Sequence, residues 1–144
     1  MKKVIALRGT ASKGKSQTIS KAYRQLLEKY PDAKVENLAP SWGIDIKVTL
    51  TVGATKIGIE SRGDPSNRLP ESLVEFVGIG CKIIICATRT SGGTVNAVDD
   101  LKTTHGYEII WLEQKDAGYS ESEREAANRK MAKRIVAEVE KSMT

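Results

Sequence analysis

Aromatic residues are scarce in this chain of 144, which has one Phe, two Trp and four Tyr. That leaves no set of rings on which successive bases would stack, and so no platform for single-stranded nucleic acid. Cysteine is scarcer still. Cys81 and Cys86 flank an apolar run, and with His105 as the one histidine they offer neither a disulfide framework nor a thiol–imidazole metal site. Both read as small core residues of a kind that suits a reducing compartment. His105, before Gly106, reads as a helix-terminal residue rather than a base. No apolar run approaches the ~20 residues of a membrane span. The first apolar segment starts at Lys3, which leaves no room for a leader, so a cytoplasmic protein off the membrane is expected. Internal repeats, low-complexity tracts and long linkers are also missing, and residues 1–144 are expected to form one domain. The net charge of +5 is spread along the chain, often beside Glu or Asp. That favours a small anionic ligand over dedicated nucleic-acid binding.

What the chain does have is Gly9-Thr10-Ala11-Ser12-Lys13-Gly14-Lys15-Ser16. This is the pattern G-x-x-x-x-G-K-[S/T], whose chance occurrence in a chain this long is on the order of one in two hundred. The strand-like run Lys3–Arg8 precedes it and a helical pattern follows, which is the context the motif requires. The spacing suits a triphosphate. Gly9 turns the chain sharply out of the strand, and Gly14 lets the backbone approach so that consecutive N–H groups form an anion nest. Lys15 would reach the β- and γ-phosphates and Ser16 would hold Mg²⁺. The helix start adds free N–H groups as far as Gln17.

On these residues the chain resembles the P-loop NTPase superfamily, most closely over residues 2–30. The resemblance implies a three-layer α/β sandwich around a mostly parallel sheet, ATP as ligand with GTP open, and Mg²⁺. The nucleotide-contacting residues it implies are Gly9, Thr10, Ala11, Ser12, Lys13, Gly14, Lys15, Ser16 and Gln17.

The remaining elements follow from periodicity. Ile19, Ala22, Tyr23, Leu26, Leu27 and Tyr30 recur at helical spacing until Pro31. Residues 31–45 read as irregular, with Trp42 either plugging the sheet end or covering a ligand. Ile46–Val52 alternates as a half-exposed strand, and Gly53-Ala54 turns it into a returning strand, Thr55–Glu60. A helix is expected over Leu69–Val77 and a fully buried strand over Lys82–Ala87. A helix over Thr94–His105, a strand over Tyr107–Leu112 and a last helix from Glu121 to Ser142 complete the series. That helix is opened by a Ser120/Glu123 capping box. Five strands are expected in the order 2-3-1-4-5, counted along the chain, with the second antiparallel at the edge.

Ligands of such sheets sit beyond the carboxyl ends of the strands. Three turns there are candidates besides the phosphate loop. Glu60-Ser61-Arg62-Gly63-Asp64 offers a carboxylate for Mg²⁺ or for a nucleophile, with Asp64 favoured as the metal residue beside Ser16 and Glu60 as the alternative. In Thr88-Arg89-Thr90-Ser91-Gly92-Gly93-Thr94, Arg89 would stabilise transition-state charge or bind the acceptor. Glu113 to Tyr119 would lie beside the base, and the absence of Asn-Lys-x-Asp there points to adenine. The catalytic candidates are therefore Lys15, Asp64, Glu60 and Arg89. The expected activity is Mg²⁺-dependent ATP hydrolysis or phosphoryl transfer to a small acceptor, a phosphorylated one among the options. The alternative is a nucleotide-dependent switch acting on a protein partner with little turnover.

Overall fold

A computed structural model describes residues 2–9, 14–62, 68–114 and 120–143. Six strands and four helices run in the order β1 (Lys3–Arg8), α1 (Lys15–Lys29), β2 (Lys34–Asn37), β3 (Lys47–Val52), β4 (Thr55–Glu60), α2 (Arg68–Ile79), β5 (Ile83–Thr88), α3 (Gly93–His105), β6 (Glu108–Glu113) and α4 (Glu121–Met143). The strands form one sheet in the order β2-β3-β4-β5-β1-β6. β4, β5, β1 and β6 are mutually parallel, and β3 runs antiparallel between β2 and β4.

This differs from the expected sheet in three ways. It has six strands rather than five, because Lys34–Asn37 pairs with Val48–Thr51. All four β2 residues are exposed, so no alternation marks them as a strand. β2 therefore takes the edge, and the antiparallel strand β3 is covered on both sides. Finally, β5 and β1 exchange places relative to the expected order, with β5 between β4 and β1. Every residue of β5 is buried, which its position between two parallel neighbours produces.

The strand parity divides the core. Ile5, Leu7, Ile57, Ile59, Ile83 and Ile85 pack on one face against Ile19, Ala22 and Leu26 of α1 and Ile135 and Val139 of α4. Val4, Ala6, Ile84 and Cys86 pack on the other against Leu69, Leu73 and Phe76 of α2 and Val98 and Leu101 of α3. Gly58 belongs to this second face. A Cβ there would lie 2.6 Å from the Phe76 ring, so the glycine sets how closely α2 approaches. Cys81 and Cys86 are buried free thiols, and burial pushes the Cys81 thiol up to about 11. The Gly53-Ala54 turn joins β3 to β4, with Gly53 at φ 59° where a side chain would strain the backbone. At α4 the Glu123 N–H donates to Ser120 Oγ at 3.1 Å, and Ser120 Oγ donates to Glu123 Oε1 at 2.9 Å. His105 is exposed at the end of α3. Among the described residues no helix is long and apolar enough to cross a membrane.

Candidate functional site

The helix after β1 lies on one face of the sheet, and the helix after the neighbouring β5 lies on the other. The chain therefore parts between the carboxyl ends of β1 and β5, and a crevice opens at such a switch point. Lys15 spans it. Its Nζ donates to the carbonyl oxygen of Gly9 at 2.7 Å and to that of Thr88 at 2.6 Å. The Gly9 N–H donates to the same Thr88 carbonyl at 3.2 Å.

Lys15 is 4 % exposed, and no carboxylate pairs with it among the described residues. Burial, followed by the positive charge of Arg89, lowers its ammonium to about 8. Arg89 is half-buried at the start of the β5–α3 turn. Its Nε is buried without a hydrogen-bond partner among the described residues, and its backbone N–H donates to Thr94 Oγ1 at 3.1 Å. Arg89 thus lies close enough for its charge to act on Lys15, and neither cation has a carboxylate partner among the described residues. Among the described residues no side chain caps α1, whose first residue is Lys15, so the N–H groups of its first turn have no side-chain acceptor there.

Packing enforces both loop glycines. A Cβ on Gly9 would sit 2.6 Å from the Gln114 carbonyl oxygen, and one on Gly14 would sit 2.9 Å from Asn128 Oδ1. Gly14 also holds φ 84°. Behind them runs a buried polar chain. Thr18 Oγ1 donates to Gln114 Oε1 at 2.9 Å, Gln114 Nε2 to Asn128 Oδ1 at 2.8 Å, and Asn128 Nδ2 to Gln17 Oε1 at 3.2 Å. It ties α1, the end of β6 and α4 together around the helix start.

Ser16 Oγ donates to Asp45 Oδ1 at 2.6 Å, and Ser61 Oγ donates to the same oxygen at 3.1 Å. Arg62 approaches Asp45 Oδ2 at 3.7 Å and stacks on the half-buried Trp42 ring at 4.2 Å, with Arg68 at 5.8 Å from that ring. Trp42 is therefore held by guanidinium groups on the loop that carries Asp45.

Asp45 was not a sequence candidate, although its signal was present. It is the one acid between Asn37 and Glu60. It also precedes an antiparallel strand, which begins at the edge where the parallel strands β4, β5 and β1 end. Asn128 was likewise not a candidate, and Gln114 was one only as part of the base-side turn; the clue to their pairing was a polar residue on the buried side of α4.

Glu60 stands elsewhere. It shares the parity of Gly58, so its carboxyl lies on the α2 face, where Ser72 Oγ donates to Oε1 and Oε2 has no partner among the described residues. It is fully buried, and burial raises it to about 7 against the opposing Ser72 hydrogen bond and the charges of Lys47, Arg62 and Arg68. Thr10, Ala11, Ser12, Lys13 and Asp64 lie outside the described residues, as do residues 115–119 of the expected base-side loop. Among the described residues the structure brings together Gly9, Gly14, Lys15, Ser16, Gln17 and Arg89, and adds Asp45.

The chain matches no family model, no curated protein and no solved structure.

Proposed function

We propose that this chain is a Mg²⁺-dependent, P-loop nucleoside triphosphate-binding protein, with ATP the favoured nucleotide and GTP open, that hydrolyses the nucleotide or transfers its γ-phosphoryl to a small acceptor. The observation that carries the reading is the buried Lys15 ammonium between the ends of β1 and β5, lowered by the charge of Arg89 and with no carboxylate paired to either among the described residues. A polyphosphate entering there would draw Lys15 off the two carbonyls and give the Arg89 Nε an acceptor. The uncapped start of α1 supplies further donors.

The residues around Ser16 suit Mg²⁺. That ion takes oxygen ligands in a tight octahedron and is commonly held by one or two carboxylates plus substrate phosphates and water. The Ser16 hydroxyl and the Asp45 carboxylate, hydrogen-bonded at 2.6 Å, are such a pair. We assign them this role: of the two acids expected from the sequence, Glu60 has its carboxyl on the α2 face and Asp64 lies outside the described residues. Among the described residues no cluster of three His, Cys, Asp or Glu side chains is present. When bound, Mg²⁺ would neutralise phosphate charge. Lys15 would bind and orient the phosphates, and Arg89 would stabilise charge on the transferring group.

One observation favours a switch as the second reading. Asp45 is held at once by Ser16, Ser61 and Arg62, and Arg62 stacks on Trp42 of the same loop. Metal loading at Ser16 would compete for Asp45 and re-set that loop, so that a partner would sense the nucleotide.

Phosphate release from Mg-ATP and Mg-GTP, with wild type and Lys15→Ala, tests the proposal. Turnover lost in the variant supports the enzyme. Tight binding without turnover supports the switch.

A further inference from the structure

A cleft of about 460 Å³ opens along the outer face of α1 and is closed on its far side by the first turn of α4. Its size falls within the roughly 300–1,000 Å³ usual for small-molecule sites. It begins at Ser16, the residue after Lys15, and it runs past Lys21 to Arg24. From Ser16 to Arg24 the helix rises about 12 Å. Glu121 and Arg124 face them from α4, and Ile44, 90 % exposed, stands at the lip.

The charges in this cleft are mixed. Lys21 lies 3.9 Å from Glu125, which Arg129 also holds at 3.3 Å. Arg24, Arg124 and Glu121 have no ion-pair partner among the described residues. With Lys21 and Glu125 paired, the Glu121 carboxylate is left beside two guanidinium groups, a set that suits an uncharged body with a flat ring and vicinal hydroxyls. A carboxylate accepts well from ribose hydroxyls, and guanidinium planes stack on a heteroaromatic ring.

We propose that this cleft is the nucleoside subsite, with the Glu121 carboxylate accepting from the ribose hydroxyls and Arg24 and Arg124 flanking the base. The inference rests on the reading that the triphosphate sits at Lys15, and it gives that reading a location for the rest of the ligand. It replaces aromatic stacking, for which the chain has few rings, with guanidinium stacking.

The test is a titration of the full chain with Mg²⁺ and each of ATP, 2′-deoxy-ATP and inorganic tripolyphosphate. Wild type, Glu121→Gln and the Arg24→Ala/Arg124→Ala double variant are compared. The readout is the ratio of nucleotide to tripolyphosphate affinity, which cancels general changes in charge and reports that each variant is folded. Wild type should bind ATP about tenfold more tightly than 2′-deoxy-ATP. Glu121→Gln should lose that preference, and the double variant should lower the ATP ratio by about tenfold. Unchanged ratios in both variants, with tripolyphosphate still bound, would overturn the subsite and leave the phosphate reading standing. If wild type binds neither ATP nor tripolyphosphate, the phosphate reading falls and the subsite with it.

Discussion

Ser16 Oγ donates to Asp45 Oδ1 at 2.6 Å across 29 residues of chain. The bond joins the first turn of α1 to the residues that enter β3. The direction of β3 creates it: an antiparallel strand starts at the edge where β4, β5 and β1 finish. Asp45↔Arg62 is the next step outward from the Lys47↔Glu60 register, after the Ser61 N–H that donates to the Ile46 carbonyl at 2.9 Å.

Replacing Asp45 by Asn keeps an acceptor for Ser16 but removes the charge. Mg²⁺ should then add little to nucleotide affinity, whereas in wild type it should strengthen binding by about tenfold or more. Isothermal titration with and without Mg²⁺ measures this. An undiminished Mg²⁺ effect in Asp45→Asn would remove Asp45 from the metal site.

Lys15 makes binding proton-linked. Its ammonium is lowered to about 8 in the folded chain by burial and by Arg89. Unfolded, the group titrates near 10.4. The unfolded chain therefore holds more protons between these values, so its neutralisation adds stability as pH rises from about 8 to about 10 and adds none below. A bound polyphosphate favours the charged form. Nucleotide binding near pH 9 should take up a proton, and affinity should fall as pH climbs past 8. Titrations in buffers of differing ionisation heat detect the uptake.

Glu60 acts with the opposite slope. Burial raises its carboxyl to about 7. The unfolded value is near 4.3, so the folded chain holds the extra proton between about 4.3 and 7. The stability this gives is present below that window and is lost as pH rises through it. Glu60→Gln should flatten the dependence and raise stability at pH 8 by on the order of 2 kcal/mol. Urea unfolding at pH 5 and pH 8 checks both the slope and the gain.

Gln114→Ala would leave the Thr18 hydroxyl without its acceptor and Asn128 Oδ1 without its donor, both buried. Such orphaned groups cost about 1–3 kcal/mol. Gly9→Ala should cost a similar amount, because its Cβ would be driven against the Gln114 carbonyl. Both should lower nucleotide affinity as well as the urea midpoint, since they disturb the support of the loop.

The elements were legible where a period was strong. The α1 stripe from Ile19 to Leu26 and the unbroken run Ile83–Ala87 identify their elements without ambiguity. β2 was not legible, being four residues exposed throughout at an edge. The order of β1 and β5 was not legible either. Both are continuous apolar strands, and either order leaves α1 on one face and α2 and α3 on the other, so the connection rules do not separate them. At the site, the motif located Lys15 and Ser16, but Asp45 needed the strand direction as well. The parity of β4 already turned Glu60 away from α1, since Ile57 and Ile59 face it.

The most direct test of the central claim is calorimetric titration of Mg-ATP and Mg-GTP into wild type and Lys15→Ala. Wild type should bind at least one of them at micromolar to submillimolar concentration, and the variant should lose affinity on the order of a hundredfold while keeping its urea midpoint or gaining stability. Absence of binding to wild type at millimolar nucleotide, or equal binding by both proteins, would contradict the account.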